Sequence, residues 1–367
     1  MGEDLKGEGK KMLSRRLWVL TIAVVAGAIG ARGLTAQENA PPVKANTPPK
    51  NAARAKLQKS AGGKAAVDAK KGGPAKGAQN KTAQTTAGKK NAPQNKNAVF
   101  DELMSQGAKF ADDATVKLPP PTLADGLGAT EQQQALASIA DTNHPVEALT
   151  RKAVVAPFVL RIADEKQVGA VQPRRVDIWF ITYGDLKKMT DETFIKQQVE
   201  AEAAASPKSA QASQVVALTG EQLQSRGIEP VQGERYFAAS ATLFGRVRVG
   251  GVMRTTLTRT SDSVLLAGVL DPRFADDKKY PNSWRGISRD EAGEQKIGAP
   301  RPYSNAAWYC KATQLKQPTG AVLVEYHLVF DEPEDWFNGA NLLRSKLPIV
   351  VQDGVRKIRR KLADPAP

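Results

Sequence analysis

Between Gln37 and Asn97 the chain has little to fold with. The segment is written almost entirely in Ala, Lys, Pro, Gly, Gln, Asn and Thr, and it holds no aromatic residue. Stretches such as Ala40-Pro41-Pro42, Thr47-Pro48-Pro49-Lys50 and Lys70-Lys71-Gly72-Gly73-Pro74 carry no apolar period. Fixing a backbone costs roughly 1–2 kcal/mol per residue, and only apolar burial offsets it. The segment therefore reads as a disordered basic linker, and packed structure is confined to residues 98–367. One cysteine, Cys310, cannot close an internal disulfide, so that region must be held by a hydrophobic core. Its roughly 270 residues are enough to build one.

The first 36 residues have the three-part layout of a secretory signal peptide. A basic stretch ends at Ser14-Arg15-Arg16. An apolar run from Leu17 to Ala31 follows, then Leu34-Thr35-Ala36. The run is about 15 residues, short of the roughly 18–20 that span a bilayer as a helix. The reading is a leader cleaved after Ala36, and a protein exported to the periplasm, the envelope or the medium.

A formal charge of +15 suggests an acidic partner until it is mapped. Residues 37–97 hold 13 Lys or Arg against Glu38 and Asp68, and the leader holds 6 against 3, which leaves +1 for residues 98–367. The folded part is nearly neutral. The expected partners of the linker are anionic envelope polymer or lipid. Nucleic acid is disfavoured, and nothing specifies a protein or glycan partner.

Residues 98–152 read as helical. Thr130 and Gln133 form a capping-box pattern, and Pro145 suits a first helical turn. Phe158 to Ile162 and Arg174 to Tyr183 read as strands, the second apolar on both faces. Asp191 to Ala205 and Thr219 to Arg226 read as helices. Tyr236–Val249, Val252–Arg259 and Val264–Leu270 predict a meander with Gly250-Gly251 as its first turn. Trp308–Leu315 and Ala321–Phe330 predict a further hairpin. Asp271–Ala306 reads as a long polar loop. Val351, Val355, Ile358 and Leu362 fall on one stripe of a C-terminal helix. The sum is an α+β fold, an antiparallel sheet with flanking helices.

Candidate chemistry is sparse. Only His144 and His327 accompany Cys310, too few for a standard zinc site without carboxylates. No zincin, nucleophile-elbow, P-loop or dinucleotide motif occurs. No metal and no cofactor are expected. One constellation remains. If Leu315 pairs with Gly320 across a four-residue loop, Cys310 lies opposite Glu325 and Trp308 opposite His327, all on one face. A thiol, an imidazole and a carboxylate would then form the nucleophile, base and orienting group of a hydrolase or transferase. A one-residue slip destroys that arrangement. Aromatics concentrate late, and Tyr280, Trp284 and Tyr303 are candidates to stack on a ligand from the long loop. Arg246 and Arg248, beside the expected Gly250-Gly251 turn, are candidates to hold an anion. The carboxylates of 331–335 lack the residue order of a calcium loop. The leading expectation is a non-enzymatic binding or structural protein.

Two phrases carry a resemblance, Leu266-Ala267-Gly268-Val269-Leu270-Asp271-Pro272-Arg273-Phe274 and Asp335-Trp336-Phe337-Asn338-Gly339-Ala340-Asn341-Leu342-Leu343. With the leader and linker, they make the chain similar to uncharacterised exported proteins of planctomycete-type bacteria. The resemblance implies an exported location and transfers no site residue.

Overall fold

The computed structural model describes residues 96–189, 214–292, 294–337 and 341–363. The leader, most of the linker and the expected helix 191–205 lie outside the described residues.

The chain opens with α1 (Ala98–Gln106), whose first turn is closed by Asn97 accepting from the Phe100 amide at 3.0 Å. The same Asn97 donates to the Thr256 and Leu265 carbonyls, so the cap also ties the helix to the sheet. Gly107, at φ +79°, ends the helix. A small ladder follows, β1 (Ala108–Lys109) with β2 (Thr115–Val116). Next come α2 (Ala129–Ile139) and α3 (Val146–Leu149). The capping interaction of α2 lies two residues earlier than the sequence pattern places it, with Glu131 accepting from the Gly128 amide.

The remaining strands form one antiparallel sheet. They are β3 (Phe158–Asp164), β4 (Pro173–Tyr183), β5 (Gln214–Ala217), β6 (Glu234–Leu243), β7 (Val247–Arg259), β8 (Ser263–Leu270), β9 (Ser283–Arg289), β10 (Gln295–Ile297), β11 (Arg301–Pro302), β12 (Ala306–Gln314) and β13 (Ala321–Asp331). The main path runs β10-β9-β7-β8-β12-β13-β4-β3. β6 pairs with the free edge of β7 and β5 with β6, while β11 pairs with β9. Short helices α4 (Leu186–Met189) and α5 (Gly220–Gln224) lie in the connections, and α6 (Leu342–Ala363) closes the described chain. The fold is α+β, a large antiparallel sheet with flanking helices.

Each face of the sheet has its own cover. On the inner face, α6 packs on β4 and β3 and buries Leu343, Leu347, Val351 and Val355 against Val176, Ile178, Trp308 and Tyr326. Four apolar side chains at i, i+4 spacing, each stabilising by about 1.5–3 kcal/mol when buried, hold the helix down. On the outer face lies the N-terminal segment. Val99 and Leu103 of α1 pack with Tyr309 and Val329, and Leu136 and Ile139 of α2 pack with Trp179 and Leu323.

Two turns depart from the sequence reading. Gly250-Gly251 is not a turn. β7 runs straight through it, with Gly251 opposite Ala239 and Gly250 opposite Ser240. The reversal lies earlier, where Phe244 (φ +50°) and Gly245 (φ +67°) take the left-handed conformation. Glycine at 251 answers a packing demand instead. A Cβ there would sit 2.5 Å from Asn282 Oδ1 and 2.6 Å from Leu270 Cδ1. The stretch 271–306 is not a polar loop either, because it folds into β9, β10 and β11 against the N-terminal half of β7.

Candidate functional site

The β12–β13 hairpin decides the fate of the thiol constellation. Gln314 pairs with Val322, and the Leu315 amide donates to the Ala321 carbonyl, so the loop holds five residues, 316–320, rather than four. That one added residue shifts every partner. Cys310 lies opposite Tyr326, Tyr309 opposite His327 and Lys311 opposite Glu325. Because strand side chains alternate, Cys310 faces inward with Trp308 and Ala312, while His327 and Glu325 face outward. Cys310 and the His327/Glu325 pair are on opposite faces of the sheet, so no nucleophile–base contact exists. Burial, followed by the charge of Glu325, pushes the thiol up to about 12. It is protonated at neutral pH and a poor nucleophile.

His327 and Glu325 belong to a different assembly that includes Asp177 of β4. The His327 ring is fully buried, with Nδ1 2.8 Å from Asp177 Oδ1 and Nε2 3.4 Å from Glu325 Oε2. Burial alone would lower its pKa. The hydrogen bonds to Asp177 and Glu325, with their charges, outweigh that and hold it above its ordinary value. The imidazole then donates from both nitrogens. Trp179 meets the ring edge-on at 5.1 Å and Tyr309 lies at 4.6 Å. Arg175 pairs with Asp177 at 3.1 Å from its flank.

This assembly grips the segment that crosses above it. The Thr122 amide donates to Glu325 Oε2 at 2.8 Å, and the Trp179 indole donates to Thr122 Oγ1 at 3.0 Å. The Tyr309 hydroxyl donates to the Pro119 carbonyl at 2.7 Å. Lys311 donates to the Leu123 carbonyl at 2.7 Å and sits 2.9 Å from Asp125. Both ring nitrogens are engaged and both partners are buried, so the cluster offers no proton to a substrate. Its visible work is to clamp residues 117–125 onto the sheet. Asp177, Lys311 and Thr122 were not singled out by the sequence reading.

The long-loop aromatics are mostly interior. Trp284 and Tyr303 are buried around Trp336, with the Tyr303 and Trp336 rings stacked at 5.6 Å and Trp284 meeting Trp336 edge-on at 6.2 Å. They are not an exposed stacking surface. Tyr280 is half-buried and lines an outer recess together with Arg248. Arg246 is exposed in the β6–β7 turn and does not line it. Among the described residues no group of three or more His, Cys, Asp or Glu is placed to hold a metal. Nor is any helix among them long and apolar enough to cross a membrane.

The feature the sequence reading did not anticipate lies beneath α6. A cavity of about 180 Å³ separates Leu343, Leu347 and Val351 of the helix from the inner face of the sheet. Val176 and Ile178 of β4, Trp308 of β12, and Tyr326, Leu328 and Phe330 of β13 make its floor. Its far wall is β6 and β7, where Ala239, Ala241, Gly250 and Gly251 are too small to fill it. Tyr303, the one long-loop candidate in this lining, has its hydroxyl turned to the Asp331 carbonyl at 3.2 Å. Among the described residues that line it there is no carboxylate, lysine, arginine or histidine.

No family model matches the chain, and no curated protein matches it. Among solved structures, the lipid transfer and protein localization domain of human StarD13 covers 66% of this chain and 100% of its own, at 6% identity and TM-score 0.30. CalU16 from Micromonospora echinospora covers 55% of this chain and 93% of its own, at 9% identity and TM-score 0.18. Likenesses this weak establish neither a shared fold nor a shared activity.

Proposed function

We propose that the chain is an exported, non-enzymatic binding protein of the bacterial envelope or periplasm, whose chamber under α6 takes a compact apolar group. The observation that carries the reading is the chamber's lining, which among the described residues is predominantly apolar and holds no Asp, Glu, Lys, Arg or His. An empty apolar cavity forfeits contacts that a ligand restores. Size narrows the ligand. Apolar cavities of about 150 Å³ bind a benzene ring, whereas sites for drug-sized molecules hold roughly 300–1,000 Å³. At about 180 Å³ the chamber suits one substituted ring or a short branched alkyl group, not a whole lipid. The separation of Cys310 from His327 and Glu325 supports the non-enzymatic part. Export rests on the leader pattern of residues 1–36. The basic segment 37–97 is proposed as a tether to anionic polymer or lipid, on the strength of its charge.

Calorimetric titration with indole and toluene, both neutral, tests the chamber. Wild-type protein should bind both. Ala241→Trp, which places a large ring at a half-buried position of the wall, should abolish binding without unfolding the sheet. No binding by the wild type, or equal binding by the variant, defeats the proposal.

A further inference from the structure

A polar atom buried in a protein ordinarily has a partner, so the exceptions point to what is missing. Among the described residues, six buried side-chain nitrogen or oxygen atoms have none, and one of them, the Trp336 indole Nε1, belongs to a residue that lines the chamber under α6. The others, on Thr182, Thr256, Asn305, Thr313 and Glu325, belong to residues outside that lining. Trp308, the other indole of the lining, is not among them and has an interaction within the chain. Resting on the chamber reading, we propose that the compound whose apolar group fills the chamber also carries a neutral carbonyl, whose oxygen accepts the Trp336 N–H.

The donor is held before any ligand arrives. Trp336 ends the short turn Glu334–Trp336 that follows β13, and it is 3% exposed. Tyr303 and Phe330 lie nearly parallel to its ring, at 5.6 Å and 6.2 Å between centroids. Trp284 and Phe337 meet it edge-on, at 6.2 Å and 6.0 Å. A hydroxyl rotates to seek an acceptor, whereas the indole N–H moves only with its ring, and these four neighbours pack around that ring. Buried indole N–H groups usually find a partner. The neighbours do not supply one. The Tyr303 hydroxyl is turned to the Asp331 carbonyl at 3.2 Å, and an aromatic face is a second-order acceptor beside an oxygen.

The lining selects the kind of acceptor. An indole N–H donates and does not accept, so a donor on the ligand gains nothing from it. Among the described residues the lining holds no Lys, Arg or His, and a carboxylate or phosphate would be buried there without a counter-charge. Burial raises the Tyr326 phenol of the floor well above its ordinary value, so it is neutral as well. What fits is an uncharged oxygen. A carbonyl presents one with two lone pairs and no proton of its own to satisfy. At about 180 Å³ the chamber limits the compound to a small aryl or cyclic ketone, a lactone or a short ester. A single fixed polar group in an apolar pocket orients a ligand and gives it specificity.

The test compares acetophenone with α-methylstyrene, in which a methylene replaces the carbonyl oxygen and the shape is kept. Calorimetric titrations of the full chain and of its Trp336→Phe variant give an affinity for each pairing. The cost of taking each ligand from water is the same for both proteins, and the smaller ring enlarges the space for both ligands, so the change in their affinity ratio reports the N–H. The substitution should weaken acetophenone relative to α-methylstyrene by roughly three- to tenfold, the worth of one neutral hydrogen bond. A second measurement does not depend on the variant folding. In wild type isotope-labelled at its tryptophan nitrogens, the Trp336 indole proton, assigned by NMR through its contacts with the Tyr303 and Phe330 rings, should move downfield with acetophenone and far less with α-methylstyrene. Equal effects of Trp336→Phe on both ligands, binding of α-methylstyrene alone, or an indole resonance that stays in place while acetophenone binds overturns the carbonyl assignment and leaves the chamber standing. Binding of neither compound defeats the chamber reading and the carbonyl with it.

Discussion

Replacing His327 with alanine should leave Asp177 and Glu325 facing one another in a space closed to solvent. Among the described residues the imidazole is the one cationic group bonded to both. Glu325 already has one buried oxygen, Oε1, without a partner among the described residues. Removing one member of a buried ion pair costs about 3–5 kcal/mol, because the partner charge is stranded; here the stranded charge is that of Glu325, while Asp177 keeps Arg175 at 3.1 Å. In a domain of this size that lowers the melting temperature by on the order of 6–20 °C. The pH dependence carries a sign. Asp177, Glu325, Arg175, Trp179, Tyr309 and Lys311 face the ring or its partners, and the net effect raises the folded pKa above the unfolded value of about 6.5. The stabilisation is therefore complete below about pH 6.5 and fades as pH rises through the folded value. Urea unfolding at about pH 6 and about pH 9 should show wild type losing stability across that interval and His327→Ala losing much less of it. His327→Gln, which keeps one donor and drops the charge, guards against an unfolded alanine variant. Both variants within about 1 kcal/mol of wild type, with the wild-type pH slope, would refute the reasoning.

Three further outcomes follow from packing. Cys310 should react with iodoacetamide more slowly than free cysteine, at a rate unchanged in His327→Gln, and Cys310→Ala should cost about 1–2 kcal/mol. Gly251→Ala should lose about 1–3 kcal/mol in chemical unfolding. The clashing Asn282 is pinned, donating to the Asp271 carbonyl at 2.7 Å and accepting from the Val252 amide at 3.0 Å. Arg359→Met should lose roughly 2–4 kcal/mol. The guanidinium, lowered to about 10 by burial, donates to the carbonyls of Ile181, Ala156 and Pro157, which no thioether replaces.

Strands and helices were legible wherever one periodicity held over many residues. β4 read as apolar on both faces, β12 and β13 read as a hairpin, and the α6 stripe from Val351 to Leu362 read as the packed side of a helix. Register was not legible, because it depends on how many residues a loop contains, and one residue moved Cys310 to the other face. Gly250-Gly251 misled for a related reason. Glycine serves a turn through positive φ and a strand through the missing Cβ, and the sequence pattern is the same in both. A hint of the His327 cluster was present in Asp177, Lys311, Glu325 and His327, four ionisable groups inside otherwise apolar strands. Their convergence needed the strand order β12-β13-β4. The chamber left a fainter trace, since small residues on β6 and β7 acquire meaning only when α6 is seen to cross the sheet opposite large aromatics.

The chamber is the centre of this account, and a crystal soaked in bromobenzene tests it most directly. Anomalous scattering should place bromine between Leu347 of α6 and the Trp308–Tyr326 floor, with the ring enclosed by Ile178, Leu328 and Ala241. Bromine found only on the surface, with the space under α6 filled by repacked side chains, would contradict it.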